Sequence, residues 1–183
     1  MQKIDTTIPG LFILKPKVFR DSRGFFMETF NQKTYDELGM GSLYFKQDNL
    51  SFSQKGTIRG LHFQTPPNAQ GKLVTVFQGS VLDVVVDIRK GSPTYGKYEA
   101  VVLDAEDPTF FYIPEGFAHG FQVLSDTCLF YYKCTELYAP QADGGISLDD
   151  PSLNIPWREI PRIISEKDTK HPLLANYDSP FTF

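Results

Sequence analysis

Cysteine is scarce in this chain, and the two present, Cys128 and Cys134, fall in one apolar aromatic run, Thr127–Thr135. If that run is a strand they lie roughly 20 Å apart along it, well beyond the 7 Å or so between Cα atoms that a disulfide can bridge. A disulfide framework is therefore excluded, and free thiols fit a reducing, cytoplasmic setting. No apolar run approaches the ~20 residues of a membrane span, and Met1–Gly10 contain no long apolar stretch of a secretory leader, so no membrane association is expected. An excess of basic residues is missing as well. Lys and Arg total 18 against 22 Asp and Glu, for a net charge of −4, so a general nucleic-acid binder lacks its electrostatic footprint. No repeat, low-complexity tract or linker divides the chain, and 183 residues suffice to bury most of their apolar surface as a single domain, 1–183.

Aromatics are plentiful, at 14% with 16 Phe and 9 Tyr, which favours strands. Val18–Phe30 reads as extended and broken at Asp21–Gly24. Asn31–Leu38 reads as a short helix with Gly39 as its stop. Strands are expected at Phe45–Phe52, Leu73–Phe77, Val81–Ile88, Tyr98–Leu103, Thr109–Ile113, Gly120–Leu124 and Thr127–Thr135. Many short strands between Gly/Pro turns indicate an all-β sandwich or barrel with short peripheral helices. The Pro-rich segment 149–183 is expected to wrap it as turns and loops.

Two of the three histidines sit among apolar and glycine residues, in Ile58-Arg59-Gly60-Leu61-His62-Phe63-Gln64 and in Ile113-Pro114-Glu115-Gly116-Phe117-Ala118-His119-Gly120-Phe121. A neutral imidazole takes or gives a proton near neutral pH, so two in one pocket point to proton chemistry. Pro114–His119 has the P-x-G-x-x-H form of the second cupin segment. Metal-binding cupins supply H-x-H and then Glu from the first segment. Here Gly60 stands in place of the first His and Pro66-Pro67 in place of the Glu. Two imidazoles fall short of the three protein ligands of an ordinary first-row metal site. The chain thus resembles a cupin-type jelly roll without the metal, and no metal or other cofactor is expected.

A closer resemblance runs through Asp21-Ser22-Arg23-Gly24-Phe25-Phe26, Gln47-Asp48-Asn49, Arg59-Gly60-Leu61-His62, Lys72-Leu73-Val74, Asp83–Arg89, Gly91–Gly96, Gly116–Phe121, Tyr132–Thr135 and Asp149-Asp150-Pro151. In that order these segments resemble the dTDP-4-dehydrorhamnose 3,5-epimerase family, over about Ile13 to Asp168. The resemblance implies inversion of C3 and C5 of a dTDP-4-keto-6-deoxyhexose. Both carbons are α to the ketone, so each is inverted by removing a proton to give an enolate and returning it to the opposite face. That requires a base, an acid and a positive group at the developing oxyanion.

By this resemblance His62 is the base, with Asp168, in Ser165-Glu166-Lys167-Asp168, as its partner. Tyr132 is the acid and Lys72 the enolate stabiliser. Arg59 and Arg23 meet the diphosphate, Glu28, Gln47 and Asn49 the thymidine end, and Tyr138 stacks on the nucleotide. His119 bonds the sugar or diphosphate, with a purely structural histidine as the competing reading. Asp143 stands where the family usually has a substrate-contacting glutamate, which shortens its reach. Leu148 replaces a common tryptophan, and Phe63 a Tyr or Leu. Family members are homodimers, with Arg23 or Glu28 able to enter the partner's pocket.

Strand parity carries its own expectations. Lys72 shares a face with Val74 and Val76, and Tyr132 shares one with Phe130 and Cys134. Arg59 and His62 fall on opposite faces of a regular strand, and can meet in one pocket only if Gly60 permits a bulge. The rival functions are a mono-epimerase at C5 or C3, a 4-ketosugar isomerase, or a non-catalytic nucleotide-sugar-binding cupin.

Overall fold

The computed structural model describes residues 1–183. In chain order the strands are β1 (Gln2–Asp5), β2 (Phe12–Lys15), β3 (Val18–Asp21) and β4 (Gly24–Met27). The helix α1 (Gln32–Glu37) follows, then β5 (Gln47–Gln54), β6 (Thr57–Gln64), β7 (Lys72–Gln78), β8 (Ser80–Asp87) and β9 (Tyr98–Asp104). The chain continues through β10 (Phe110–Ile113), β11 (Phe117–Val123), β12 (Thr127–Cys134), β13 (Asp143–Gly145) and β14 (Ile163–Ile164). One antiparallel sheet has the order β1-β2-β10-β7-β12-β5, and the other β13-β6-β11-β8-β9. Together they form a cupin-type jelly roll, with β3 and β4 as a separate hairpin arm. No helix is long and apolar enough to cross a membrane.

Alternation along the strands places three apolar layers. Val74, Val76, Val85, Phe111, Phe121 and Phe130 fill the space between the sheets. Leu82, Val84 and Val86 face the other way, where Ile146, Leu153, Leu174 and Phe181 of the C-terminal segment cover them. On the far side, Phe12, Leu14, Leu73 and Phe110 are covered by Tyr35 of α1 and by Met40. Asn31 caps α1 through a bond from the Thr34 N–H, 3.3 Å, as its Asn-to-Gly39 boundaries require. Because both faces of β8 are buried, its apolar run is nearly continuous, and periodicity alone cannot orient it.

The strands differ from expectation in several places, and β6, β13 and β14 are absent from the expected set. β11 begins at Phe117, three residues early, because the Pro114–Gly116 turn ends there and Phe117 already pairs with Asp87. β1 and β2 have no counterpart in the sequence reading. Each has four residues, and β1 is exposed throughout, so it carries no alternation to detect.

The local feature that shapes the pocket is a bulge in β6. His62 pairs with His119 and Arg59 with Phe121, so three steps on β6 oppose two on β11. The extra residue rotates Arg59 onto the same face as His62. Gly60 sits at φ +142°, and a Cβ there would fall 2.5 Å from Gly120 Cα and 3.0 Å from the His119 carbonyl oxygen. Replacing Gly60 with Ala is expected to destabilise the fold by about 3 kcal/mol, read as a lowered urea midpoint. An unchanged midpoint would mean that β11 yields and that the two backbones need not touch.

Candidate functional site

A cavity of about 660 Å³ opens between the sheets, lined among others by Arg59, His62, Lys72, His119, Tyr132 and Asp168. A second, of about 300 Å³, shares His62, Lys72, Tyr132 and Lys167 and adds Gln47, Asn49, Tyr138 and Asp143. The two form one trough with a common waist.

The waist carries a His–Asp pair. β14 runs parallel to the start of β6, Ile163 beside Thr57 and Ile164 beside Ile58, and a one-turn 3-10 helix then begins at Asp168. This brings the Asp168 carboxylate, 106 residues distant in sequence, to 2.8 Å from His62 Nε2. Its other oxygen accepts the Gly60 N–H at 3.4 Å. Asp168 is 4% exposed against 29% for His62, so the imidazole faces the cavity and the carboxylate backs it. Burial pushes the Asp168 carboxyl up, but bonds from His62, Gly60 and Ser165 together with the His62 charge outweigh it, and the net shift is downward. An ionised Asp168 fixes the proton on Nε2 and leaves Nδ1 as a free base.

Lys72 begins β7 on the face of Val74 and Val76. Desolvation lowers its pKa, opposed by Cys134, Asp143 and Asp83 nearby. Tyr132 packs beside Phe130, ring centroids 6.0 Å apart, and its pKa is raised by burial, so the phenol keeps its proton at neutral pH. Tyr131 points away and bonds Asp48 at 3.0 Å. His119 Nε2 lies 2.9 Å from the fully buried Asp83, making a second His–Asp pair in the cavity wall.

At the other end, the inward-facing residues of β5 form a polar floor. Gln47 donates to Asn49 (3.0 Å) and accepts the Tyr138 N–H (2.8 Å), while Asn49 reaches Cys134 Sγ at 3.6 Å. Asp143 pairs with Lys167 and receives the Tyr138 hydroxyl at 3.3 Å. Arg59 bonds Ser53 at 3.2 Å. Arg23 and Glu28 are not brought here. Arg23, 88% exposed, pairs with Asp21 on the β3–β4 arm, and Glu28 accepts from Asn31.

Three residues at the site escaped the sequence reading. Asp83 shares strand parity with Val85, a signal that was present. Lys167 adjoins Asp168 and lines both cavities. His171, the third histidine, lies edge-on to His62, with ring centroids 5.6 Å apart. One of its ring nitrogens and the donor atoms of His62 and Asp168 lie within 4.8 Å of one another. The 2.8 Å His62–Asp168 separation is that of a shared proton, however, whereas tetrahedral ligands about 2.0–2.2 Å from zinc stand well over 3 Å apart. Both cysteines are buried and free.

The chain is similar over most of its length to known proteins. A family model described as dTDP-4-dehydrorhamnose 3,5-epimerase matches residues 5–176. A dTDP-4-dehydrorhamnose 3,5-epimerase of Shigella flexneri is 52% identical over 168 residues, 92% of this chain and 93% of that protein. One from Methanothermobacter thermautotrophicus is 51% identical over 177 residues, 94% and 95% of the two chains. Among solved structures, a 3,5-epimerase of Legionella pneumophila in complex with dTDP-4-keto-L-rhamnose superposes with a TM-score of 0.94 at 46% identity, covering 100% of this chain and 98% of that one.

If Asp168 holds the charged form of His62, Asp168→Asn moves the His62 titration midpoint down by about one pH unit. Imidazole NMR of the folded variant measures this, and an unmoved midpoint would show that the two groups are not coupled.

Proposed function

The chain belongs to the dTDP-4-dehydrorhamnose 3,5-epimerase family, and from that premise we propose that it inverts C3 and C5 of dTDP-4-keto-6-deoxy-D-glucose to give dTDP-4-keto-L-rhamnose. The observation that carries this reading is the His62–Asp168 dyad lining the same cavity as Lys72 and Tyr132. His62 Nδ1 takes the proton α to the ketone. The C–H electrons form the enolate double bond, and the carbonyl electrons move onto O4. Lys72 stabilises that oxyanion, and its lowered pKa makes it a stronger donor than a solvated ammonium. Asp168 stabilises the imidazolium. The Tyr132 phenol then protonates the carbon from the opposite face as the C4 ketone re-forms. Exchange with water returns a proton to Tyr132 and removes one from His62, and the cycle repeats at the second carbon. Arg59 and His119 hold the sugar diphosphate, while Gln47, Asn49, Tyr138, Asp143 and Lys167 hold the nucleotide end.

A second copy of the chain completes the site in this proposal. The β3–β4 arm exposes Phe19, Phe25 and Phe26, and β5 is an uncovered edge strand with Leu50 and Phe52 outward. Apolar surface and a free edge of this kind favour a partner. A homodimer that covers them would carry Arg23 and Glu28 into the partner's trough. We place the enzyme in the cytoplasm, where its buried thiols stay reduced.

Proton NMR of dTDP-4-keto-6-deoxyglucose in D2O tests the chemistry. The wild-type protein should exchange deuterium into C3 and C5, and His62→Ala should slow both by about 10³-fold. Tyr132→Phe should impair inversion more than exchange. Near-wild-type exchange in His62→Ala would remove this mechanism. Exchange at one carbon alone would make the chain a mono-epimerase, and binding without exchange a nucleotide-sugar-binding member. For the dimer, mixing inactive His62→Ala with inactive Arg23→Ala protomers should restore about a quarter of the activity through mixed dimers. No recovery from freely exchanging subunits would confine the site to one chain.

A further inference from the structure

His171 has no part in the proton transfers above, yet the fold builds a place for it. A Cβ on Gly145 would fall 2.6 Å from His171 Cε1 and Nε2, and Gly145 is the residue paired directly with His62 across β13 and β6. The missing side chain leaves room for the imidazole to lie against the strand backbone. The next residue is fixed too, since the Pro172 carbonyl accepts the Ser147 N–H at 2.8 Å. The side chain is 11% exposed, and its Nε2 lies 3.8 Å from Asp168 Oδ1, the oxygen that meets His62 at 2.8 Å. That Nε2 is buried without a hydrogen-bond partner. Buried polar atoms are ordinarily satisfied, and the acceptor it faces is the Asp168 carboxylate, about an ångström beyond hydrogen-bond length.

We propose that His171 is a positioning residue for the proton-abstracting dyad, a neutral imidazole whose Nε2–H is directed at Asp168 from beyond hydrogen-bond length and, through its dipole, limits the carboxylate charge available to His62. The inference rests on His62 being the base. The groups around His171 are His62 on β6, Asp143 on β13, and Lys167 and Asp168 on its own segment. Desolvation lowers the His171 pKa most, followed by His62; Lys167 adds to this, and Asp168 and Asp143 oppose it. His171 therefore stays neutral while His62 gains and loses protons, because two imidazoliums on one carboxylate repel each other. An N–H dipole directed at Asp168 weakens the carboxylate's pull on the His62 imidazolium. Removing the donor returns the whole carboxylate charge to His62 and raises its proton affinity.

With three histidines in the chain, each imidazole can be followed separately by NMR without substrate. In His171→Leu the His62 midpoint should rise by about half to one pH unit, while His119 stays where it was. His171→Gln, whose amide can still donate, should return His62 close to its wild-type midpoint. The acid limb of kcat/KM should move with it, so that below the wild-type midpoint the Leu variant loses roughly three- to tenfold. A merely structural role would lower rates at every pH and leave the limb in place. An unmoved His62 midpoint in folded His171→Leu, or an equal shift in the Gln variant, would overturn the proposal. If the Leu variant does not fold, the wild-type spectrum decides. A neutral His171 protonated on Nε2 supports the assignment, and an Nδ1–H tautomer overturns it. These titrations stand apart from turnover, so a protein that shows them without epimerase activity would sink the functional reading alone.

Discussion

The pocket depends on the close approach of two backbones, Gly60 of β6 against Gly120 of β11, with no side chain between them. That contact lets β6 take on an extra residue, and the bulge turns Arg59 and His62 to the same side. It also leaves the Gly60 N–H free of the ladder to donate to Asp168. One local departure from regular pairing thus sets the direction of a cation and an imidazole, and supplies a donor to the carboxylate behind them.

The second contributor is the chain's C-terminal third, which makes the outer face of a sheet into an interior. Leu153, Leu174 and Phe181 cover β8, and the segment is tied down by polar bonds at defined points. The fully buried Gln122 exchanges bonds with the Arg158 backbone, and Asp150 accepts the Leu174 N–H at 2.6 Å. The Trp157 indole N–H reaches the Leu148 carbonyl at 2.8 Å, a bond that leaves the identity of the Leu148 side chain free. Phe63, the other departure from the family pattern, packs against Tyr177 and Phe181 while also lining the smaller cavity. Covering the sheet and delivering Asp168 and His171 are one structural act.

Electrostatics follow from that burial. The same exclusion of water lowers the Lys72 pKa and raises that of Tyr132, while direct hydrogen bonds hold Asp168 ionised against it. A dry wall makes the lysine a readier donor and keeps the phenol protonated. The carboxylate survives as an anion because its lone pairs are occupied.

The chain's local patterns determined much on their own. Alternation and turn residues located most of the strands and the short helix. The parity of Lys72 with Val74, and of Tyr132 with Phe130, put each on the face that the tertiary structure turns toward the cavity, because side-chain direction in a strand has a fixed period of two. Family resemblance supplied Asp168, which no periodicity marks. What only the tertiary structure decided were contacts between residues far apart in sequence. These are the Gly60–Gly120 approach that overrides parity at Arg59, the delivery of Asp168 across 106 residues, the Asp83–His119 pair, and the seat of His171 on Gly145. Such contacts depend on how sheets and loops pack in space, and a residue's type and neighbours in the chain carry no record of which distant backbone will lie against it.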